Sequence, residues 1–177
     1  MGFLEDTLGD SPIVAAVKDE PGLERCLNSS CRVVFVLFGD LNSVPRIVAE
    51  LKTAGKTVFV HADLIEGLSA REAAVDYLIH AARPDGIIST RLPLLRFAKA
   101  KGLRTILRFF LIHSIAMENI AKMKNERCVD LIEVLPGLMP KVIHRVAATC
   151  GKPIIAGGLV TCLLYTSDAA DDLTRVD

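Results

Sequence analysis

The residues able to do chemistry in this chain gather at the ends of short apolar runs. They are Lys18, Asp40, His61, Asp63, Ser89, Thr90, Arg91, Arg108, Glu133, Gly157 and Gly158. His61 and Asp63 stand two apart, so on one continuous strand they share a face. Such a pair suits a metal or a general acid–base couple. Two protein ligands are too few for a secure metal site, and Glu133 would have to be the third. The expectation is no metal, with polar strand ends satisfying one another. Lys18 and Arg108 lie in or just after buried runs, and a buried cation needs a partner. Glu133 is an internal candidate and a bound phosphate an external one. Gly157-Gly158 follows an apolar run, where the lack of Cβ atoms lets backbone N–H groups approach an anion. Glycines and cations at one mouth favour an anionic small ligand.

The elements that must position these residues follow one repeat. Residues 130–134 read as a buried strand, broken by Leu135-Pro136-Gly137. Residues 138–149 carry Leu138, Val142, Ile143 and Val146 at the spacing of one helical face. Gly151 stops that helix, and 153–156 forms the next strand. A strand, a crossover helix and a second buried strand make a parallel βαβ unit. The same unit recurs upstream. Strands are expected at 12–17, 33–38, 57–63, 86–90 and 104–110, with helices at 21–28, 44–53, 69–82, 93–101 and 114–124. Ser69 with Glu72 forms a capping-box pattern, and Ser114 caps the fifth helix. The expected fold is α/β, a TIM-type (β/α)8 barrel with about seven strands, truncated before strand eight, since a closed barrel needs eight strands and usually about 250 residues.

Composition is consistent with this. The chain has 177 residues, 51% of them hydrophobic, and a mean hydropathy of +0.39. That is high for a water-soluble chain, but buried parallel strands account for it. Arg108 and His113 interrupt the most apolar stretch, so no membrane span is expected. No signal peptide is evident, and a cytoplasmic location is expected. Five cysteines without a Cys-x-x-Cys pair argue against a disulfide framework or a zinc site. Lys+Arg and Asp+Glu both number 21, so global charge gives no support for nucleic-acid binding.

Two stretches stand apart. Between Asp85 and Glu118 there is no acid, while Arg91, Arg96, Lys99, Lys101, Arg104 and Arg108 fall there. Arg96, Lys99, Lys101 and Arg104 lie on the fourth helix and its exit, away from the ligand mouth. They could contact nucleic-acid phosphates, although a solvated helix face is the better reading from physics alone. Residues 162–177, CLLYTSDAADDLTRVD, do not continue the repeat and resemble the translation of a sequencing adapter. The expected domain is therefore 1–161, incomplete, with 162–177 a non-native tail. The open seven-stranded sheet would leave two unpaired edges.

Five motifs, in order and in register, carry a more specific signal. They are VHADLI at 60–65 with Gly67; GIISTR at 86–91; Arg108-x-Phe110 with Ser114 and Ala116-Met117-Glu118; IEVLPG at 132–137 with Pro140; and Ala156-Gly157-Gly158. Together they resemble the glycerol-3-phosphate-responsive antiterminators over about residues 12–160. The resemblance implies a TIM-barrel regulator, not a catalyst. With glycerol 3-phosphate as effector and no other cofactor, it would act on the leader mRNA of the glycerol uptake operon, so that transcription passes a terminator. It implies that Gly157 and Gly158 hold the phosphate with a further loop after strand eight, and that His61, Asp63, Ser89, Thr90, Arg91, Arg108 and Glu133 match the family's strand ends. Arg108 and Lys18 are assigned toward the anion, Asp63 and Glu133 toward the glycerol hydroxyls. Lys18 stands where the family often has Arg, and His113 where an Asp precedes the Ser. The alternative is a phosphosugar isomerase, epimerase or lyase on the same fold, with Glu133 or Asp63 as base. The oligomeric state is not legible.

Overall fold

The computed structural model describes residues 12–69, 71–112, 114–160 and 174–176. His113 lies outside them, as do the side chains of Ser114 and Ile115, so the departure at 113 and the Ser114 cap are not described.

Seven strands alternate with helices in the expected order. They are β1 Ile13–Val17, β2 Val33–Val36, β3 Thr57–His61, β4 Gly86–Ser89, β5 Arg104–Phe110, β6 Leu131–Leu135 and β7 Ile154–Ala156. The helices are α1 Glu20–Leu27, α2 Val44–Thr53, α3 Glu72–Tyr77, α4 Leu92–Ala100, α5 Ser114–Ala121 and α6 Pro140–Cys150. Every neighbouring strand pair is parallel. Val33–Val36 and Gly86–Ser89 are buried at every position, because helices cover the outer face of the sheet and the barrel closes over the inner one.

Alternation along the strands makes two cores. Val14, Val33, Phe35, Phe59, Ile88, Ile106, Leu131 and Ile155 fill the barrel interior. The Phe35 and Phe59 rings meet edge to face with centroids 5.8 Å apart. Gly86 is needed beside them, since a Cβ there would stand 2.5 Å from Phe59 Cε1 and 2.6 Å from the Arg104 carbonyl oxygen. The larger core lies between sheet and helices, with Val34, Val58, Ile87 and Ile132 against Ile47, Leu51, Leu95 and Ile143.

At the opposite end from the mouth, two aspartates repeat one device. Asp85, just before β4, accepts from the Val58 N–H at 2.8 Å and from Lys52 Nζ on α2 at 3.1 Å. Asp130, just before β6, accepts from the Thr105 N–H at 3.0 Å and from Lys99 Nζ on α4 at 2.5 Å. Each ties a strand start, its neighbour and a covering helix together.

Three expectations are corrected. β3 ends at His61, and Ala62–Leu64 is a 3-10 turn, so His61 and Asp63 do not share a strand face. The capping box at Ser69 does not form: α3 starts at Glu72 with Arg71 at its N-cap, which puts Glu72 at the first helical position rather than the third. A π-helical turn, Leu78–Ala82, continues that helix to the expected end. Finally, the sheet is not left with two free edges. Thr174–Val176 forms a short strand, β8, parallel to both β7 and β1, which closes the ring. Ladder pairing uses backbone groups and asks little of side-chain identity, so three extended residues suffice where two edges present unpaired N–H and C=O groups.

Candidate functional site at the barrel mouth

The interior residues continue, two positions further along each strand, into a charged layer. Lys18 follows Ala16, His61 follows Phe59, Arg108 follows Ile106, Glu133 follows Leu131, and Gly157 follows Ile155. Alternation therefore turns His61, Arg108 and Glu133 toward the axis at the C-terminal mouth, while Lys18 and Gly157 stand one residue past the ends of β1 and β7. This is where ligands sit in parallel barrels.

The centre of the layer is an ion pair. Arg108 and Glu133 are register partners on β5 and β6. Arg108 Nε donates to Glu133 Oε2 at 2.6 Å and Nη2 donates to Oε1 at 3.1 Å, a bidentate fork. Their side chains are only 9% and 1% exposed. Burial raises the Glu133 carboxyl above the usual carboxylate range, while the Arg108 guanidinium acts against that rise. Gly157 makes the arrangement possible, because a Cβ at 157 would lie 2.9 Å from Glu133 Oε1.

His61 stands beside this pair. It is 2% exposed, and its Nδ1 has no hydrogen-bond partner. Burial first, then the Arg108 cation, push its pKa down to about 4; Asp63 pulls the other way. The ring is thus neutral at physiological pH and holds an unused polar atom at the mouth.

Asp63 is organised differently. Its carboxylate accepts from Ser89 Oγ at 3.0 and 3.1 Å, from the Thr90 N–H at 2.7 Å and from Thr90 Oγ1 at 2.9 Å. Ser89 Oγ in turn accepts from the Arg91 N–H at 3.0 Å. Arg91 Nε lies 3.9 Å from Asp63 Oδ1 on a largely exposed side chain. The 3-10 turn after β3 and the end of β4 are thereby clamped together, so His61, Asp63, Ser89, Thr90 and Arg91 form one connected rim. Asp63 and His61 are not joined by a hydrogen bond. His61, Asp63 and Glu133 do not make a metal-holding group among the described residues.

The remaining expected residues are placed less simply. Lys18 is exposed just past β1 and has no ion pair among the described residues. Asp40 turns to its own loop, accepting from the Asn42 and Ser43 N–H groups at 2.8 Å each and from Ser43 Oγ at 2.9 Å. The Gly157 N–H donates to the Val134 carbonyl at 3.0 Å, so it serves the ladder and is not free for an anion. The Gly158 N–H has no such engagement among the described residues, and the chain turns sharply there, with φ +74° at Gly158 and +60° at Leu159.

One residue of this site carries no chemistry of its own. Gly137, in the β6–α6 loop, donates its N–H to the Gly158 carbonyl at 3.2 Å, and a Cβ there would lie 2.6 Å from Val160 Cγ2. It seats that loop against the Gly157-Gly158 turn. In sequence the Pro136-Gly137 pair reads as a strand break and as part of the IEVLPG motif, neither of which shows this seating role.

The basic residues on and after α4 are largely neutralised. Arg96 pairs with Glu126 at 2.6 Å, Lys99 with Asp130 at 2.5 Å and Lys101 with Asp76 at 2.9 Å. Arg104 is half-buried between the charges of Asp85 and Asp130. This patch is a set of ion pairs and not an open cationic face.

Comparison with known proteins follows the same lines. Residues 13–167 match the model of a family described as "Glycerol-3-phosphate responsive antiterminator". The uncharacterized protein YgcP of Escherichia coli K12 is 42% identical over 153 residues, covering 86% of this chain and 80% of that protein. The crystal structure of the glycerol uptake operon antiterminator regulatory protein from Listeria monocytogenes superposes with a TM-score of 0.86 at 30% identity, covering 94% of this chain and 91% of that one. A glycerol uptake operon antiterminator-related protein from Thermotoga maritima gives 0.79 at 32% identity, covering 93% and 92%. Barrel enzymes also superpose, such as orotidine 5′-monophosphate decarboxylase from Methanocaldococcus jannaschii at 17% identity, which reflects the shared fold alone.

Proposed function

The chain belongs to the glycerol-3-phosphate-responsive antiterminator family, and from that premise we propose that it binds glycerol 3-phosphate at the barrel mouth and then acts on the leader mRNA of a glycerol uptake operon, so that transcription passes a terminator. The observation that carries this reading is the buried Arg108–Glu133 fork beside the unpartnered Nδ1 of His61. A phosphate approaching Arg108 competes with Glu133 for the guanidinium. A Glu133 carboxylate so released needs donors, which the glycerol hydroxyls supply. His61 Nδ1, Lys18 and the Gly158 N–H complete the polar surface; Asp63, Ser89, Thr90 and Arg91 set the facing rim. The domain that does this is 1–161, and Thr174–Val176 pairs with β1 and β7 through its backbone. The setting is the cytoplasm, where leader transcripts are made. No helix among the described residues is long and apolar enough to cross a membrane.

This reading is regulatory rather than catalytic. Both Glu133 oxygens are held by Arg108, and the Asp63 carboxylate accepts from Ser89 and Thr90. A general base for a phosphosugar isomerase or lyase needs a free lone pair aimed at the substrate proton. Both carboxylates spend lone pairs on holding the mouth together, Glu133 on Arg108 and Asp63 on the end of β4, which favours a positioning role for them over proton abstraction.

The experiment is calorimetric titration of glycerol 3-phosphate into the chain, alone and with leader RNA. Ligand that binds more tightly with RNA present supports the reading, because coupling between two sites is reciprocal. Failure to bind, or binding indifferent to RNA together with turnover of a phosphosugar, overturns it.

A further inference from the structure

Charge in this molecule is balanced overall but not locally. From residue 119 to 153 the chain carries Lys122, Lys124, Arg127, Lys141, Arg145 and Lys152, with His144 among them. The same stretch has three acids, Glu126, Asp130 and Glu133, and all three are directed elsewhere. Glu126 pairs with Arg96, Asp130 with Lys99, and Glu133 is buried on Arg108. The α6 sequence, PKVIHRVAATC, contains no acid at all. Its buried face is Ile143, Val146 and Cys150, which leaves Lys141, His144 and Arg145 exposed on the outside.

The helix beside it adds to the same face. α5 and the 3-10 turn after it, Lys122–Asn125, pack against α6. Lys124 lies along the end of α6, where its Cγ would stand 3.7 Å from a Cβ at Gly151. Lys124, Arg127, Lys141 and Arg145 are exposed, and their side chains make no ion pair or hydrogen bond among the described residues. Lys122 bonds Asn119 and Lys152 the Val129 carbonyl. Outside that stretch, Glu118, exposed on α5, is the nearest acid in sequence.

We propose that this α5–α6 face, and not the α4 face, is the surface that takes the RNA phosphates; the proposal rests on the antiterminator reading above and deepens it. A polyanion gains most where cations are exposed and unspent, since it displaces counterions from them and breaks no ion pair. On α4 every phosphate contact would compete with Glu126, Asp130 or Asp76. On α5–α6 none does. The face also runs to the ligand mouth: Lys141 opens α6, and the loop leading into α6 is seated by Gly137 on the Gly157-Gly158 turn. A ligand that shifts that turn therefore acts directly on the helix bearing Lys141 and Arg145.

The test uses a fluorescein-labelled leader RNA, a terminator-type stem-loop with its flanking strand, with affinity read by anisotropy across a salt series. Lys124→Ala/Arg127→Ala/Lys141→Ala/Arg145→Ala should bind roughly tenfold weaker or more, with a log–log salt slope shallower by about 3 for four lost contacts to a single strand. The double variants Lys124→Ala/Arg127→Ala and Lys141→Ala/Arg145→Ala should each lose part of both. Lys124→Arg/Lys141→Arg should keep both, and glycerol 3-phosphate binding should persist in all of them. Lys99→Ala/Lys101→Ala should change RNA affinity less than about twofold. A quadruple variant that binds RNA like the parent overturns the surface and leaves the antiterminator reading standing. A parent chain that binds no RNA, or prefers polyglutamate or anionic vesicles to it, overturns both.

Discussion

Replacing Arg108 with methionine removes the guanidinium while leaving its aliphatic bulk. It strands Glu133, whose side chain is 1% exposed and whose two oxygens both accept from Arg108. Breaking one partner out of a buried pair costs about 3–5 kcal/mol, because the remaining charge is desolvated and unpaired. Arg108 is the group that holds the Glu133 carboxyl down against burial, so its loss raises that carboxyl further. A folded-state carboxyl pKa above the unfolded one favours folding below the unfolded value and loses that advantage as pH rises through the folded value. The penalty is therefore largest near pH 8 and shrinks toward pH 5, by at most about 1.4 kcal/mol per pH unit. Arg108 also depresses His61; its removal lets His61 protonate more easily, which adds to the recovery at low pH. Equilibrium urea unfolding, followed by circular dichroism at several pH values, measures the difference from the parent. Arg108→Met/Glu133→Leu, which removes both charges, should recover most of the loss. A single-variant loss below about 1 kcal/mol at pH 8, or one flat with pH, would refute the buried-pair argument.

Other perturbations test separate parts of the site. His61→Gln should flatten the acid limb of the stability curve: with a folded pKa near 4 against 6.5 unfolded, the parent loses up to about 3 kcal/mol as pH falls through that window, and the variant should not. Gly157→Ala puts a methyl 2.9 Å from Glu133 Oε1, so it should weaken glycerol 3-phosphate binding about tenfold or more and destabilise by about 1–3 kcal/mol, read by calorimetry and urea titration. Gly86→Ala should cost at least as much stability, because the new Cβ meets both the Phe59 ring and the Arg104 carbonyl in a full core.

How much of this was legible in the sequence depended on how far apart the cooperating residues lie. The strand–helix repeat was readable because each element carries its own pattern, as the exact agreement over Val44–Thr53 and Arg104–Phe110 shows. Boundaries failed where two patterns compete. The run 57–63 is apolar enough for a long strand, yet the chain turns at Ala62 so that Asp63 can reach Ser89 and Thr90. The apolar runs mark where strands end, which is enough to bring His61, Ser89, Arg108 and Glu133 to one mouth, whereas Asp63 falls on a turn and Asp40 bonds its own loop. The role of Gly157 was not visible, because its missing Cβ makes room for a carboxylate 24 positions earlier in the chain. The basic run at 91–108 is opaque in sequence for the same reason: its neutralising acids, Glu126 and Asp130, lie 30 and 31 residues away from Arg96 and Lys99, on the next βα unit.

The internal neutrality of the site bears on what it can recognise. A free arginine at a barrel mouth attracts any phosphate. An arginine already held bidentately by a buried carboxylate does not, because taking it leaves Glu133 with its desolvation uncompensated. Inorganic phosphate lacks polyol hydroxyls set apart from the anion to offset that cost. In the proposed binding mode, a phosphate ester of a small polyol would bring both the anion for Arg108 and donors for the released carboxylate, so the same pair that disfavours the bare anion would admit the ester. In that proposed mode the exchange would give the protein a second arrangement of the buried pair beside the one seen here. A ligand shifts an equilibrium only by its differential affinity for two states, and a hundredfold coupling to RNA requires about 2.7 kcal/mol. Exchange of a buried ion pair involves free energies of that order, and it occurs within contact of Gly157, next to the turn that seats the loop into α6.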